Sequence, residues 1–123
     1  MKIIYLSLCS LFVLTMAVLP PNAPVQWEGG LVYDFGDIQH EKAVEVVFSF
    51  QNLGADSLRI DNVRASCGCT TPDWTELAVP PDSTGYIYIE YDAEDVGFFS
   101  KSIKVYFNAY RKAEKLKIEG YVY

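Results

Sequence analysis

The chain has 123 residues, of which 50% are hydrophobic, 15% aromatic and 21% charged. That length predicts one domain with one core, and the apolar content excludes a disordered tail. Ten basic against sixteen acidic residues give a net charge of -6, which argues against nucleic acid as a partner. A single histidine, His40, excludes a multi-histidine metal or catalytic site within one chain.

Met1-Lys2 is a minimal positive start, and Ile3 to Leu19 is an uncharged, mostly apolar run. Thr15 and Ala17 place small residues at the -3 and -1 positions of a cleavage site, so residues 1–17 read as an export signal cut after Ala17. Ala23 is a second, weaker cleavage position, and an uncleaved anchor is the competing reading. Cys9 reads as part of the apolar run rather than a lipid attachment point, because bulky Leu8 precedes it where a small residue is needed. Loss of the signal removes Lys2 and Cys9, leaving an acidic domain over 24–123 with a net charge of -7 and two cysteines.

The rest of the chain reads as short strands. Val25, Trp27 and Leu31 to Phe35 fit one edge strand kinked at Gly29-Gly30. Val44, Val46, Phe48 and Phe50 alternate with Glu45, Val47, Ser49 and Gln51, which is the period-2 pattern of a half-buried strand. Asn52 to Ser57 is a turn by composition. Leu58 and Ile60 share one parity and Val63, Ala65, Cys67 and Cys69 the other, which predicts a bulge near Asp61-Asn62. Pro72 and Pro80-Pro81 bracket a connection containing Trp74 that is expected not to be a strand. Three further alternating runs follow, with Ile87, Ile89 and Tyr91, then Lys101, Ile103, Val105 and Phe107, then Leu116, Ile118, Gly120 and Val122 on their inner faces. About seven short strands in roughly 100 residues predict an all-β, immunoglobulin-like β-sandwich.

Tyr33 to Ile38 followed by Phe48 to Gly54, the segment Asn62 to Pro72 with its Ser66-Cys67-Gly68-Cys69-Thr70 core, and the spacing of Pro80, Gly85 and Tyr91-Asp92 together resemble the domain of unknown function 1573 family. The resemblance covers nearly all of the chain after the signal. It implies an exported bacterial immunoglobulin-like sandwich, akin to major-sperm-protein and hydin-type domains, and it implies no activity.

Cys67-Gly68-Cys69 is the only chemically loaded motif. On an extended strand the two Cα atoms would lie about 7 Å apart, at the limit of roughly 6.8 Å for a disulfide, so closing the bond calls on Gly68 to bend the chain. Three roles stay open: a structural pair, a redox-active pair, or a soft-metal site for copper(I) or zinc. Zinc would need ligands beyond two thiolates. His40 reads as a solvated loop residue. Asp92, Glu94 and Asp95 read as a solvated turn, since they lack the calcium-loop pattern. Tyr86, Tyr88, Tyr106, Tyr121 and Tyr123 fall opposite the aliphatic positions. They read either as ordinary half-exposed strand residues or as an aromatic recognition surface for an envelope protein or polysaccharide.

No nucleophile elbow, phosphate-binding glycine loop or paired metal-ligand motif occurs. The expectation is an exported, non-catalytic binding or structural module without a cofactor. The alternative is a small thiol-redox or copper-handling protein built on Cys67 and Cys69.

Overall fold

The computed structural model describes residues 22–123, so the expected signal and Cys9 lie outside the described residues. Among the described residues eight strands form, and they divide into two four-stranded sheets. The first sheet has the order β1-β3-β6-β5, built from β1 (Val25–Glu28), β3 (Val44–Asn52), β6 (Thr84–Tyr91) and β5 (Thr70–Trp74). The second has the order β2-β8-β7-β4, built from β2 (Val32–Ile38), β8 (Glu114–Val122), β7 (Gly97–Phe107) and β4 (Ile60–Ala65).

Alternation decides which side chains meet between the sheets. Phe48 and Phe50 from β3, Ile87 and Ile89 from β6, Ile103 and Val105 from β7, and Leu116 and Ile118 from β8 are all buried. Each fully buried aliphatic side chain stabilises the fold by about 2–3 kcal/mol relative to exposure. Two aromatic groups fill the ends of this layer. Phe50 meets Trp27 and Phe107, with ring centroids 5.3 and 5.1 Å away, and Tyr91 stacks on Phe99 at 4.1 Å.

Three expectations needed correction. Residues 25–35 are not one kinked edge strand: β1 pairs with β3 in the first sheet, whereas β2 pairs in parallel with β8 in the second. Gly29 and Gly30, with φ of 75° and 85°, carry the chain across the sandwich in conformations that L side chains rarely adopt. The region of Trp74 is a strand after all, because Pro72 sits on the edge strand β5, where the missing amide hydrogen removes no bond from the sheet interior. The seventh strand also begins earlier than its aliphatic run, at Gly97, which places Phe98 in the ladder opposite Tyr121. The bulge near Asp61-Asn62 is present as a register shift between Ile60 and Asn62.

Candidate functional site on the outer face of the second sheet

Cys67, Gly68 and Cys69 form the turn by which the chain leaves β4 in the second sheet and enters β5 in the first. Because the backbone turns here, the Cα atoms of Cys67 and Cys69 approach to 5.3 Å and the two sulfurs are joined in a disulfide. The turn does not depend on a left-handed glycine: Gly68 has no positive φ, and a Cβ there would meet nothing within 4 Å. Both neighbours of the bridge are anchored, since Ser66 N donates to the Ser102 carbonyl at 2.9 Å and Asp92 N donates to the Cys69 carbonyl at 3.0 Å. The buried Thr70 hydroxyl lies 3.6 Å from Cys67 Sγ. With the sulfurs bonded to each other neither is a thiolate, and among the described residues no three His, Cys, Asp or Glu side chains converge as a metal-binding group.

His40 is an exposed loop residue, as the sequence suggests, and it also links neighbouring loops. Its Nε2 donates to the Glu94 carbonyl at 2.8 Å and its backbone amide to the Tyr123 carbonyl at 2.9 Å, so it ties the β2–β3 loop to the β6–β7 loop and the end of β8. Asp92, Glu94 and Asp95 lie in that β6–β7 loop, where Asp92 Oδ1 accepts from Glu94 N at 3.1 Å.

The five tyrosines do not share one surface. Tyr86 and Tyr88 lie on the outer face of the first sheet, with rings 6.3 Å apart. Tyr88 there borders a shallow depression with Glu45, Asp73 and Glu90. Tyr106 and Tyr121 lie on the outer face of the second sheet, and Tyr123 follows the end of β8.

Tyr121 lines a groove of about 510 Å³ bordered by Asp34, Asp37, Phe98, Ser100 and Glu119. Phe98 is 89% exposed and stands edge-on to Tyr121 at 4.8 Å. The groove exists because β2 bulges between Asp34 and Asp37. Gly36 makes that bulge at φ 67°, and its amide donates to Asp34 Oδ1 at 2.8 Å. The result is an aromatic pair bordered by three carboxylates, an arrangement that suits a cationic or hydroxyl-bearing group. Sequence reasoning found Tyr121 but missed Phe98. Its signal was the alternation carried back from Lys101 to Gly97, which puts position 98 on the outside.

Among the described residues no helix is long and apolar enough to cross a membrane. A comparison with curated proteins finds no match. Solved structures share the fold. A protein of unknown function from Porphyromonas gingivalis superposes with a TM-score of 0.70 at 15% identity, covering 89% of this chain and 51% of that one. The chain thus spans about half the length of that protein. A PapD-like domain of human CEP192 gives a TM-score of 0.69 at 9% identity, covering 90% and 93% of the two chains. A family 123 glycoside hydrolase from Clostridium perfringens gives 0.63 at 8% identity, covering 75% of this chain and 23% of that one. At these identities the likeness is one of fold. The family model described as protein of unknown function DUF1573 matches residues 26–122, and the chain belongs to that family.

Proposed function

We propose that the protein is an exported, non-catalytic binding module of the cell envelope whose working surface is the outer face of the second sheet. The observation that carries this reading is Phe98. A phenylalanine ring 89% exposed on a strand, set against a tyrosine in a groove with acidic walls, has the character of a contact surface awaiting cover. The groove's side chains support binding rather than catalysis: its one hydroxyl nucleophile, Ser100, has no histidine beside it, since His40 is engaged at Glu94.

Export rests on the apolar run before residue 20, and the domain's first residues favour cleavage after Ala17. Ala23 is buried in the core, and the Pro24 carbonyl accepts from Leu53 N at 2.7 Å. A cut after Ala23 would take away a core residue, whereas a cut after Ala17 leaves the domain whole.

The test is cosedimentation of the processed chain with isolated envelope fractions, comparing wild type with Phe98→Ser. Wild-type protein is expected to be retained, and the variant to be lost from the pellet at unchanged unfolding temperature. Equal retention of both would overturn the role of this face. An intact mass that still includes Met1 to Ala17 would overturn processing.

A further inference from the structure

The outer face of the second sheet is charged in two halves, and the strand register shows how they are arranged. Arg64, Lys104 and Lys115 stand directly opposite one another across β4, β7 and β8. Two residues along lies a middle row, Ser102 beside Lys117. Two residues beyond that come Ser100, Glu119 and Asp34, and then Phe98, Tyr121 and Asp37. On the far side of the cations, Tyr106 pairs with Asn62.

Like charges placed directly across a ladder repel. Arg64, Lys104 and Lys115 are exposed, and none of them forms an ion pair among the described residues. Residues 1–21 contain no aspartate or glutamate that could serve them. The cation row and the Glu119 row lie one step to either side of the middle row, so reversing the strand direction sets cations over carboxylates. Glu119 is already paired with Lys117 of its own copy at 3.4 Å, and that pair neutralises the lysine which the reversal sets against itself at the middle row.

We propose that the partner this face fits is a second copy of the chain, docked face to face about a two-fold axis that lies between the two sheets, perpendicular to the strands, at the Ser102–Lys117 row. The proposal rests on the reading that this face is the binding surface. The rotation lays β7 over β7 and β8 over β8 in opposite directions. Lys115 of each copy then faces Glu119 of the other, and Lys104 lies one strand from the same carboxylate. Tyr106 of each copy covers Phe98 of the other. The contact is isologous, so it closes at two copies. Four strands at about 4.8 Å spacing and eight residue steps at about 3.4 Å give a face of roughly 15 by 27 Å. That is about 400 Å² from each copy, about half of what a standard specific interface buries per partner, so the dimer is weak and transient and its charge pairs are sensitive to salt.

The experiment is sedimentation equilibrium of the processed chain from about 1 µM to about 1 mM, at about 20 mM and about 500 mM salt. The expected result is a monomer–dimer equilibrium that weakens at least roughly tenfold at the higher salt. Lys115→Glu and Glu119→Lys should each abolish association, and the double exchange should restore it, because each swapped side chain again meets its opposite. Phe98→Ser should weaken the dimer without changing the unfolding temperature. A monomer throughout the range, assembly beyond two copies, or association indifferent to salt or to the single reversals would overturn the proposal. Envelope retention that depends on Phe98, found together with a strictly monomeric chain, would defeat the dimer and leave the binding surface standing.

Discussion

Phe99 on β7 and Gly120 on β8 lie directly opposite each other, and the Phe99 ring fills the space a side chain at position 120 would occupy. A Cβ on Gly120 would come 2.9 Å from that ring and 2.8 Å from the carbonyl oxygen of Gly36 on the neighbouring strand. The ring cannot simply back away, because its other side stacks on Tyr91 at 4.1 Å. Gly120→Ala is therefore expected to destabilise the domain by about 1–3 kcal/mol through overpacking. A urea titration reads this as a lower midpoint, and an unchanged midpoint would mean the strands separate easily at this point.

Asn52 is fully buried and organises the turn after β3. Its Nδ2 donates to the carbonyls of Asp56 and Val79 at 2.8 and 3.0 Å, and its Oδ1 accepts from Gly54 N at 2.9 Å. Asn52→Ala leaves all three backbone groups without this partner, at an expected cost on the order of 3 kcal/mol. Asn52→Asp should not rescue the fold, because a carboxylate cannot donate to the two carbonyls. Thermal unfolding of both variants checks the ordering.

The Cys67–Cys69 bridge closes a loop with one intervening residue. Chain-entropy arguments give so short a loop about 1–2 kcal/mol of stabilisation, less than a long-range disulfide supplies. The double variant Cys67→Ser/Cys69→Ser should accordingly remain folded and unfold cooperatively at a modestly lower denaturant midpoint. Loss of all cooperative unfolding would show that the bridge organises the passage from one sheet to the other.

Glu114 points inward at the start of β8, opposite Val105, and burial raises its carboxyl above the ordinary value of 4.5. The folded chain thus keeps this proton at a pH where the unfolded chain has released it. The stabilisation from this raised value is fully present below the unfolded pKa and is lost as pH rises through the folded one. Glu114→Gln should therefore gain stability relative to wild type at pH 7 and show little difference near pH 4. Denaturant midpoints at the two pH values give the comparison.

The alternation of Val46, Phe48 and Phe50, of Ile87 and Ile89, and of Ile103 and Val105 was enough to assign the inner faces, because a two-residue period admits only one buried side. The same pattern predicted the exposed Val47 and the bulge before Val63. It could not separate β1 from β2, since membership of a sheet is decided by partners far along the chain and both segments look alike locally. Nor could it raise Pro72 into a strand, because tolerance of proline depends on the strand lying at an edge, which is a property of strand order. The groove was half legible for a related reason. Tyr121 and Phe98 are each outward by parity, but only the β7–β8 register makes them neighbours. Asp34 and Asp37 join them through a bulge whose glycine, Gly36, carries no periodic signal.

The parallel pairing of β2 with β8 has a consequence for the order of events in folding. Val32 lies beside Lys117, so a strand near the beginning of the domain has no partner on that edge until the strand that follows all the others arrives. Contacts of such long sequence separation form late and slowly. Until they form, Leu31, Val32 and Tyr33 flank an open ladder available to any passing strand, the situation in which partly folded chains aggregate. The groove shares the same timing: Asp34 and Asp37 come from β2 and Tyr121 from β8, so its walls meet only when these two strands pair.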